Sequence, residues 1–406
     1  MERIIRIINN TILTGLAIQI VAGSFSIAVS SIAFGIWGGL WILQVLFIDR
    51  KLNYDKELFK EIKWINIFIA VLILADLVSR LFAFYPDGAL EGFKRNLLFL
   101  VFFVSVIKIK DLEILKRVLI GCTAATAIIA LLEVIYFFAY LKEELIYLPF
   151  NQIRIDYLNH PLTLSEIKML FFVQLFPLLF WQKNLIIEKK YIILMFIPLL
   201  VSIFLSQSRT VYVAIYLCIL IYGFYYNWKF AVGFILISIF IAMVLPSGMF
   251  RVQSIFSADD ASASSRAIIW QNGLEIFKHN LLIGVGDNNI MQVCKFYMPE
   301  FGKDMEEFAH LHSNPIMILA TMGIAGAIGY IGMFAALIIR TIKLFENCRN
   351  HQIRQLIFGS ILVQISFQIT GFTEWNFGDA EVFVVLMFLM SIPFLLHKFM
   401  PEEFYI

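Results

Sequence analysis

The sequence predicts an all-α, polytopic integral membrane protein with about 12 transmembrane helices and one long outer loop that contains an amphipathic helix. Of the 406 residues, 60% are hydrophobic and only 15% are charged, and the mean hydropathy is +0.83. A soluble chain of this size does not need so much apolar surface, so the bilayer is expected to be its solvent. The whole chain, 1–406, is predicted to be one transmembrane domain.

Apolar runs of membrane length define the predicted helices. The first two runs are interrupted only by Gly23 and Ser24. The predicted spans are 8–27, 29–48, 64–84, 92–107, 114–141, 162–182, 190–207, 210–226, 230–246, 315–339, 356–373 and 382–397.

The distribution of charge predicts the orientation in the membrane. Short cytoplasmic loops collect Lys and Arg, and most of the 32 basic residues fall on one side if the N-terminus is inside. Both termini are therefore predicted to be cytoplasmic, and the long loop to be outside. The first apolar run lacks a small-residue cleavage site and is expected to be retained. The net charge of +2 is too small and scattered to indicate nucleic acid.

Charged residues inside the predicted spans need partners. Asp76 and Arg80 lie at i and i+4 on the third span, where they can neutralise each other. Glu133 has no partner in its own helix, so it must pair with another segment or be protonated. The four cysteines lie on different segments without metal-site spacing and are interpreted as isolated thiols.

The long outer loop, 247–314, is the predicted functional region. It is far longer than the connections between packed helices usually are, and loops of this length are usually functional. It also holds three of the six histidines.

Arg209, in the segment LSQSRTVYVA, lies at the turn between the seventh and eighth predicted spans. An arginine at this depth is commonly a snorkelling anchor. Here it lies on the side where anchors are less favoured, next to Ser206, Gln207 and Ser208. Both an anchoring and a functional role remain open on these grounds.

Arg266 opens a predicted amphipathic helix in the outer loop. Ser264 or Ser265 can cap its start, and an apolar stripe follows at Trp270, Leu274, Phe277 and Leu281. This pattern predicts a helix in the membrane interface, with Trp270 at headgroup depth. Arg266 would project from the same stripe, and its planar fork suits a phosphate group.

His312 lies at the outer mouth of the tenth span. Asn314 is a suitable cap and Pro315 a suitable first helical residue. The positive end of that helix disfavours imidazolium, which leaves a neutral ring able to accept a proton. His310, two residues away, is the competing candidate.

The glycine-containing segment Gly284–Asn289 is interpreted as a turn. It follows a helix instead of opening one, and it lacks the preceding strand and third glycine of a dinucleotide-binding loop.

Together these segments resemble the O-antigen ligase and polysaccharide polymerase superfamily of bacterial membrane glycosyltransferases. The resemblance rests on SQSRT after a membrane helix, SSRAIIWQNGLEIFKHNLLIGVG in the long loop and HSNPIMILATMG opening the next helix. It covers most of the chain and is most specific between Ser206 and Gly326. Ser313 and Ile316 stand where the family usually has Asn and Leu.

The resemblance implies the reaction and its residues. Family members transfer glycan from undecaprenyl pyrophosphate to an acceptor hydroxyl at the periplasmic face of the inner membrane. The match makes His312 the expected general base, with Arg209 and Arg266 binding the pyrophosphate. Two arginines can stabilise the leaving group electrostatically, and a neutral histidine suits proton removal near pH 7. A single displacement would invert the anomeric centre.

No cofactor is expected, and the reaction is predicted to be metal-independent. The outer acids, notably Asp259, Asp260, Glu306 and Glu307, form no clear ligand spacing.

Secondary candidates for substrate binding lie on other outer segments. Lys94 and Arg95 lie at the outer end of the fourth span, where they can contact the phosphates of the donor or anchor the helix in the membrane. Arg154 lies in the loop before the sixth span, where similar loops of the family carry an arginine. Glu374 is predicted to orient either an arginine or an acceptor sugar. His310 and Trp270 complete the set.

The acceptor and the exact reaction remain open at this stage. Ligation of glycan to lipid A core is the first expectation, and a polymerase that joins carrier-linked repeat units is the alternative within the family. A transporter or flippase is the rival class. It would predict broken helices and ionisable groups near mid-membrane, whereas the notable groups gather at the outer surface.

Overall fold

The computed structural model describes residues 2–49, 56–141, 143–144, 147, 153–181, 185–244, 261–299 and 309–405. The described residues are predominantly helical. The α-helices are α1 (Glu2–Ala22), α2 (Ile27–Leu43), α3 (Lys56–Glu61), α4 (Lys63–Leu81), α5 (Leu100–Lys108), α6 (Leu112–Tyr136), α7 (Pro161–Leu175), α8 (Lys189–Leu205), α9 (Arg209–Tyr226), α10 (Trp228–Val244), α11 (Ala261–His279), α12 (Ile290–Tyr297), α13 (Asn314–Asn347), α14 (His351–Gly371) and α15 (Ala380–Phe399). Two π-helical segments extend α2 and α6, and two longer 3₁₀ segments precede α5 and follow α7: Gln44–Asp49, Phe137–Leu141, Ala89–Phe99 and Phe176–Phe180.

The predicted class, an all-α polytopic membrane protein, is confirmed. Within the described ranges, nine helices are long and apolar enough to cross a membrane. The predicted spans 92–107, 190–207 and 230–246 coincide with helices that are shorter or interrupted. The number of twelve spans therefore stays a prediction.

Three helices form the centre of the bundle. α7, α14 and α15 are mostly buried inside the protein, whereas α1, α2 and α9 are mostly exposed, as expected of helices that face lipid. α14 packs against α7, α9, α13 and α15, and α4 packs along α13. We call the end of the bundle that holds His312 the outer end, following the predicted orientation.

The charged residues inside the spans are paired. The Arg80 Nε atom lies 2.9 Å from Asp76 Oδ1, as predicted, and Arg80 also reaches Asp287 across the bundle at 2.6 Å. Glu133 forms an ion pair with Lys168 of α7 and accepts a 2.6 Å hydrogen bond from the Ser202 hydroxyl. A buried charge is tolerated only when it is paired and hydrogen-bonded, so Lys168 supplies the partner that Glu133 requires.

α13 is broken at Gly323, and the break attaches the outer loop to the helix. Gly323 has φ +62° and ψ −158°, a conformation that L side chains rarely adopt. The carbonyls of Ala320 and Thr321 accept hydrogen bonds from the 285 and 286 amides at 3.1 and 2.9 Å. Beyond the break, the amides of Ile324 and Ala325 donate to the 281 and 282 carbonyls at 2.8 and 3.3 Å. The backbone groups freed by the break are thus satisfied by the loop.

The Gly284–Asn289 segment is the predicted turn. It joins α11 to α12 and crosses the break in α13, and Gly284 has φ +66° with its Cα against the backbone of Thr321. A Cβ atom at Gly284 would lie 2.3 Å from the Thr321 carbonyl carbon. Glycine is therefore required here for close approach as well as for its conformation.

Two local predictions in the long loop were wrong. α11 begins at Ala261, so Ser264 and Ser265 lie inside the helix and do not cap its start. Ser313, and not Asn314, is the cap residue of α13. Both segments are rich in residues that favour caps, so composition alone does not fix the boundary. The loop segments 247–260 and 300–308 lie outside the described residues.

Candidate active site

Glu374 bridges two of the three side chains that the sequence predicted to be catalytic, Arg266 and His312. Its Oε1 atom lies 2.6 Å from Arg266 Nη2, and its Oε2 atom lies 3.0 Å from His312 Nδ1. Arg266 lies on α11, His312 precedes α13, and Glu374 lies between α14 and α15. The structure therefore brings together residues from three segments that are distant in sequence.

The Glu374 bridge determines which nitrogen of His312 carries the proton. Glu374 is only 5% exposed, and an ionised carboxylate can only accept hydrogen bonds. His312 Nδ1 must then be the donor, which leaves Nε2 with its lone pair. A carboxylate on Nδ1 also stabilises the imidazolium that forms when Nε2 takes a proton.

The backbone of His312 is fixed in an uncommon conformation. Its φ is +45°, in the left-handed region that few residues other than glycine adopt. The Trp270 indole N–H donates to the His312 carbonyl at 3.3 Å, and the His312 amide donates to His310 Nδ1 at 3.3 Å. Strained backbone of this kind persists where the surroundings hold it, and it is concentrated at functional sites.

His310 has a role distinct from that of His312. The two rings lie 4.3 Å apart, and His310 Nδ1 accepts a backbone hydrogen bond, so that atom is unprotonated. Burial, together with the neighbouring His312 ring, lowers the pKa of His310 to about 4. His310 is thus a neutral ring that holds the His312 backbone.

The segment that carries Glu374 is tied to the start of α13. Asn314 is fully buried, and its amide donates to Asn376 Oδ1 at 2.6 Å. The Asn314 side-chain oxygen accepts from the Phe377 amide at 3.1 Å. Asn314 therefore acts as a clamp between the His312 segment and the Glu374 segment, instead of the cap that the sequence predicted.

α11 packs closely on the His312 segment. A Cβ atom at Gly273 would lie 2.3 Å from Ile316 Cγ2 and 3.0 Å from Leu311 Cδ1. The buried face of α11 holds Ile269, Asn272 and Ile276, and is offset from the predicted apolar stripe. Leu274 and Leu281 of that stripe are 40% and 48% exposed, which leaves them available to lipid. Trp270 is half-buried against His312. Its position at headgroup depth stays a prediction.

Arg154 contacts the turn between α8 and α9, and α9 begins at Arg209. Arg154 Nε donates to the Ser206 carbonyl at 2.8 Å, and Arg209 is the first residue of α9 and is exposed. Burial lowers the pKa of Arg154, and the negative charges of Glu374 and Asp156 oppose this effect. Arg154 is thus hydrogen-bonded to the turn that precedes Arg209, and its guanidinium is also stabilised by the negative charge of Glu374.

Arg95 adjoins the site, whereas Lys94 is exposed without a described ion pair. The Arg95 guanidinium lies 5.5 Å from the centre of the Trp375 ring and 3.4 Å from Asp287. Trp375 directly follows Glu374 in the chain. Arg95 therefore lies beside the segment that carries Glu374, whereas the neighbouring Lys94 is exposed.

A cavity of about 290 Å³ opens beside His312. It is lined by polar and aromatic side chains from α7, the His312 segment and the Glu374 segment, including His160, Thr163, Glu166, His310, Trp375 and Asp379. Glu166 is 1% exposed. Its oxygens lie near Thr370 and Asn376, but neither oxygen has a hydrogen-bond partner of ordinary geometry. A buried polar group without a partner is costly, so this wall suits a ligand that forms hydrogen bonds with the Glu166 carboxyl group.

Sequence reasoning missed Glu166, Lys168 and Asp379. The signal for the first two was present, because both are charged residues inside the predicted span 162–182. Asp379 accepts a hydrogen bond from the Thr163 hydroxyl at 2.5 Å and caps α15. Thr163 and Asp379 are 216 residues apart in the sequence, so no local spacing indicated this contact.

The described residues contain no group of three or more His, Cys, Asp or Glu side chains placed to hold a metal ion. The outer acids named from the sequence, Asp259, Asp260, Glu306 and Glu307, lie outside the described residues. Metal independence thus stays a prediction.

Comparison with known proteins agrees with the resemblance noted in the sequence. The family model described as O-antigen ligase matches residues 194–331, a segment that contains Arg209, Arg266 and His312. The teichuronic acid biosynthesis protein TuaE of Bacillus subtilis (strain 168) is 24% identical over 187 residues, which cover 44% of this chain and 38% of that protein. These similarities support a glycan ligase- or polymerase-type function. This multi-pass membrane protein is therefore similar to the O-antigen ligase family over residues 194–331.

Proposed function

We propose that this protein is a ligase-type glycosyltransferase. It transfers a glycan from undecaprenyl pyrophosphate to a sugar hydroxyl of lipid A core at the periplasmic face of the bacterial inner membrane. The observation that carries the proposal is the Glu374 bridge, which holds His312 Nδ1 at 3.0 Å and Arg266 Nη2 at 2.6 Å. The bridge directs the basic nitrogen of His312 away from the carboxylate, as a general base requires.

In the proposed reaction the acceptor oxygen attacks the anomeric carbon of the donor. The bond from that carbon to the pyrophosphate oxygen breaks, and the acceptor proton passes to His312 Nε2. The pyrophosphate leaves with the bonding electron pair, and the anomeric centre inverts in this single displacement. No metal ion takes part in this proposal.

The arginines stabilise the charge that develops on the leaving group. The described contact of Arg266 uses Nη2 alone, and a guanidinium carries five N–H donors. Its side chain is 29% exposed, so it can bind phosphate oxygens while it remains paired with Glu374. Arg209, at the neighbouring turn, is proposed as the second pyrophosphate ligand, with Arg154 and Arg95 in supporting positions.

The cavity beside His312 is proposed to receive the acceptor sugar. Its carboxyl groups can form hydrogen bonds with sugar hydroxyl groups, and Trp375 adds an aromatic side chain to the lining. Glu166 and Asp379 stand on the wall that α7 and the start of α15 form. A sugar there would satisfy the acceptors of Glu166 that the protein leaves without partners.

A polymerase that joins carrier-linked repeat units is the second candidate. The similarity to a protein named for teichuronic acid biosynthesis favours it, because that name refers to the synthesis of teichuronic acid and not to ligation of a glycan to lipid A core. The donor chemistry and the roles of His312 and Arg266 would be the same, and only the acceptor would differ.

The test is transfer by purified, detergent-solubilised protein in the presence of a chelator. Undecaprenyl pyrophosphate-linked glycan is the donor, and lipid A core is the offered acceptor. Wild type is compared with His312→Ala and with the control His279→Ala, which changes a surface histidine of α11. Glycan on lipid A core in wild type, lost only in His312→Ala, supports the ligase and the base. Longer carrier-linked chains with lipid A core untouched would identify a polymerase. Activity that needs added magnesium or manganese would refute metal independence.

A further inference from the structure

A second cavity lies at the opposite end of the bundle from His312. α1 connects the two ends. At its outer end, Asn159 donates to the Gly23 carbonyl at 3.0 Å, next to His160 of the site cavity. The second cavity, of about 540 Å³, lies at the other end of α1 beside Arg6. At 1.5 Å per residue, Arg6 and Gly23 are roughly 25 Å apart along the helix. The second cavity is therefore not part of the proposed active site.

This second cavity is positively charged. Its lining includes four cationic side chains: Arg6, Lys108, Lys110 and Arg117. Among the described residues, none of the four has a carboxylate within salt-bridge distance.

The two acids that line the second cavity are engaged elsewhere. Asp111 accepts a hydrogen bond from the Ile114 amide at 2.8 Å, which caps α6. Glu113 pairs with Lys116 at 3.1 Å. The cavity is therefore left with an excess of positive charge.

Lys108 is the strongest indication of an anionic ligand. It is 6% exposed, and its ammonium donates to Asn9 Oδ1 at 3.0 Å and to Gln44 Oε1 at 2.7 Å. Both hydrogen-bond partners are neutral amides. Asp49, which lines a neighbouring pocket with Lys108, acts on its charge without forming a salt bridge. Gln44 begins the π-helical segment that extends α2, and such segments are frequent at functional sites. An anion in the adjoining cavity would add to the partial compensation that Asp49 gives.

An apolar groove adjoins the second cavity. It lies between α1 and α2 and has a volume of about 490 Å³. Asn10 lines both the cavity and the groove. Farther along the groove, Ile18, Ile32 and Ile36 are 46%, 62% and 53% exposed. A ligand with an anionic head and an apolar chain matches this pair of surfaces.

We propose that this end of the bundle binds an anionic phospholipid. The headgroup phosphate lies among Arg6, Lys110 and Arg117, close to the Lys108 ammonium, and one acyl chain lies along the α1–α2 groove. Basic pockets between transmembrane helices bind anionic headgroups in this way, and the groove favours a lipid over a free anion. The proposal does not rest on the proposed glycosyl transfer.

Native mass spectrometry of the purified, detergent-solubilised protein tests this site. The probes are dioleoyl phosphatidylglycerol and dioleoyl phosphatidylcholine, which differ in headgroup charge and share their acyl chains. The charge variant is Arg6→Ala/Arg117→Ala. Its matched control is Lys190→Ala/Lys278→Ala, which removes two cations that are paired with surface glutamates away from the cavity. Thr11→Phe fills the groove without changing charge.

We expect wild type to retain phosphatidylglycerol in preference to phosphatidylcholine. At about fivefold per cation near the phosphate, the charge variant should lose roughly 30-fold in affinity, whereas the control should be unchanged. Thr11→Phe should weaken phosphatidylglycerol binding as well. Arg6→Lys/Arg117→Lys, which preserves both charges, should retain most of the binding and shows that the loss is not unfolding.

Three outcomes would overturn the proposal. Equal retention of the two lipids, or equal loss in the surface control, would mean that only annular lipid is bound. Unchanged binding of phosphatidylglycerol in Thr11→Phe would show that its acyl chain does not lie in the groove. Glycerol 3-phosphate that competes as well as the intact lipid would make the site one for a free anion.

Discussion

Replacement of Glu374 by glutamine tests the proposed base directly. The substitution preserves the size of the side chain and one hydrogen-bond acceptor, so the packing of the buried residue is retained. The amide can, however, donate to His312 Nδ1. The ring would then carry its proton on Nε2. In that tautomer, Nε2 cannot take the proton of the acceptor hydroxyl group. The variant also removes the negative charge that stabilises the imidazolium.

The magnitude follows from the geometry. A carboxylate and an imidazolium at the 3.0 Å separation of Oε2 and Nδ1 interact by about 5 kcal/mol at an effective dielectric constant of about 20. Each 1.4 kcal/mol corresponds to about tenfold in rate, and the corresponding amide substitution in a Ser-His-Asp triad costs about 10⁴. We expect Glu374→Gln to lower kcat by about 10³ to 10⁴.

The assay is the transfer reaction with purified protein, with the melting temperature measured alongside it. The matched control is Glu275→Gln on α11, which makes the same chemical change at a surface glutamate paired with Lys278. The control should retain wild-type activity. If Glu374→Gln kept more than a tenth of wild-type kcat while folded, Glu374 would not set the tautomer of His312.

Three further predictions concern the surroundings of the bridge. Because the pKa of His310 is lowered to about 4, folding favours its neutral form. Above about pH 6.5 His310 is neutral in the folded and unfolded protein. As the pH falls towards 4, the unfolded protein takes up this proton first, and the free energy of unfolding decreases by up to about 3 kcal/mol. His310→Gln should therefore show a smaller fall in melting temperature between pH 7 and pH 4.5 than wild type, and an equal fall would contradict this. Gly323→Ala should destabilise the protein by about 2 kcal/mol or more, because its φ is positive and its Cβ would meet the loop backbone at 2.5 Å. Gly35→Ala, in open space, is the control, and equal melting temperatures would refute the role of the break. Arg154→Ala should weaken transfer less than Arg209→Ala, and equal loss at equal expression would reverse that ranking.

The positions of the helices were predictable from the sequence because they depend on local composition. Apolar runs of membrane length can satisfy their backbone only as helices in a bilayer, so each predicted span coincides at least in part with a described helix. Arg266 and His312 could be selected as candidates because each lies in a short, continuous motif, and their roles stay predictions. Boundaries were less certain where several cap-forming residues adjoin, as at Ser313 and Asn314.

The role of Glu374 was not predictable, because its partners are remote in sequence. Arg266 and His312 lie 108 and 62 residues away from it, and the sequence left open whether it orients an arginine or a sugar. Lys168 was missed for the same reason, since its partner Glu133 lies on another helix. Charge inside an apolar span indicates that a partner exists, but it does not identify that partner.

The geometry of the bridge depends chiefly on one helix. α13 carries His312 immediately before its first turn, and its clamp, Asn314, holds the segment of Glu374. Eleven residues after His312, the break at Gly323 binds the turn that follows α11 through four backbone hydrogen bonds. That attachment fixes the helix on which Arg266 lies. Both partners of Glu374 and Glu374 itself are thus positioned relative to the first part of α13. Because a broken transmembrane helix is tolerated only where other groups satisfy its backbone, loss of the loop contact would release the helix and the site together.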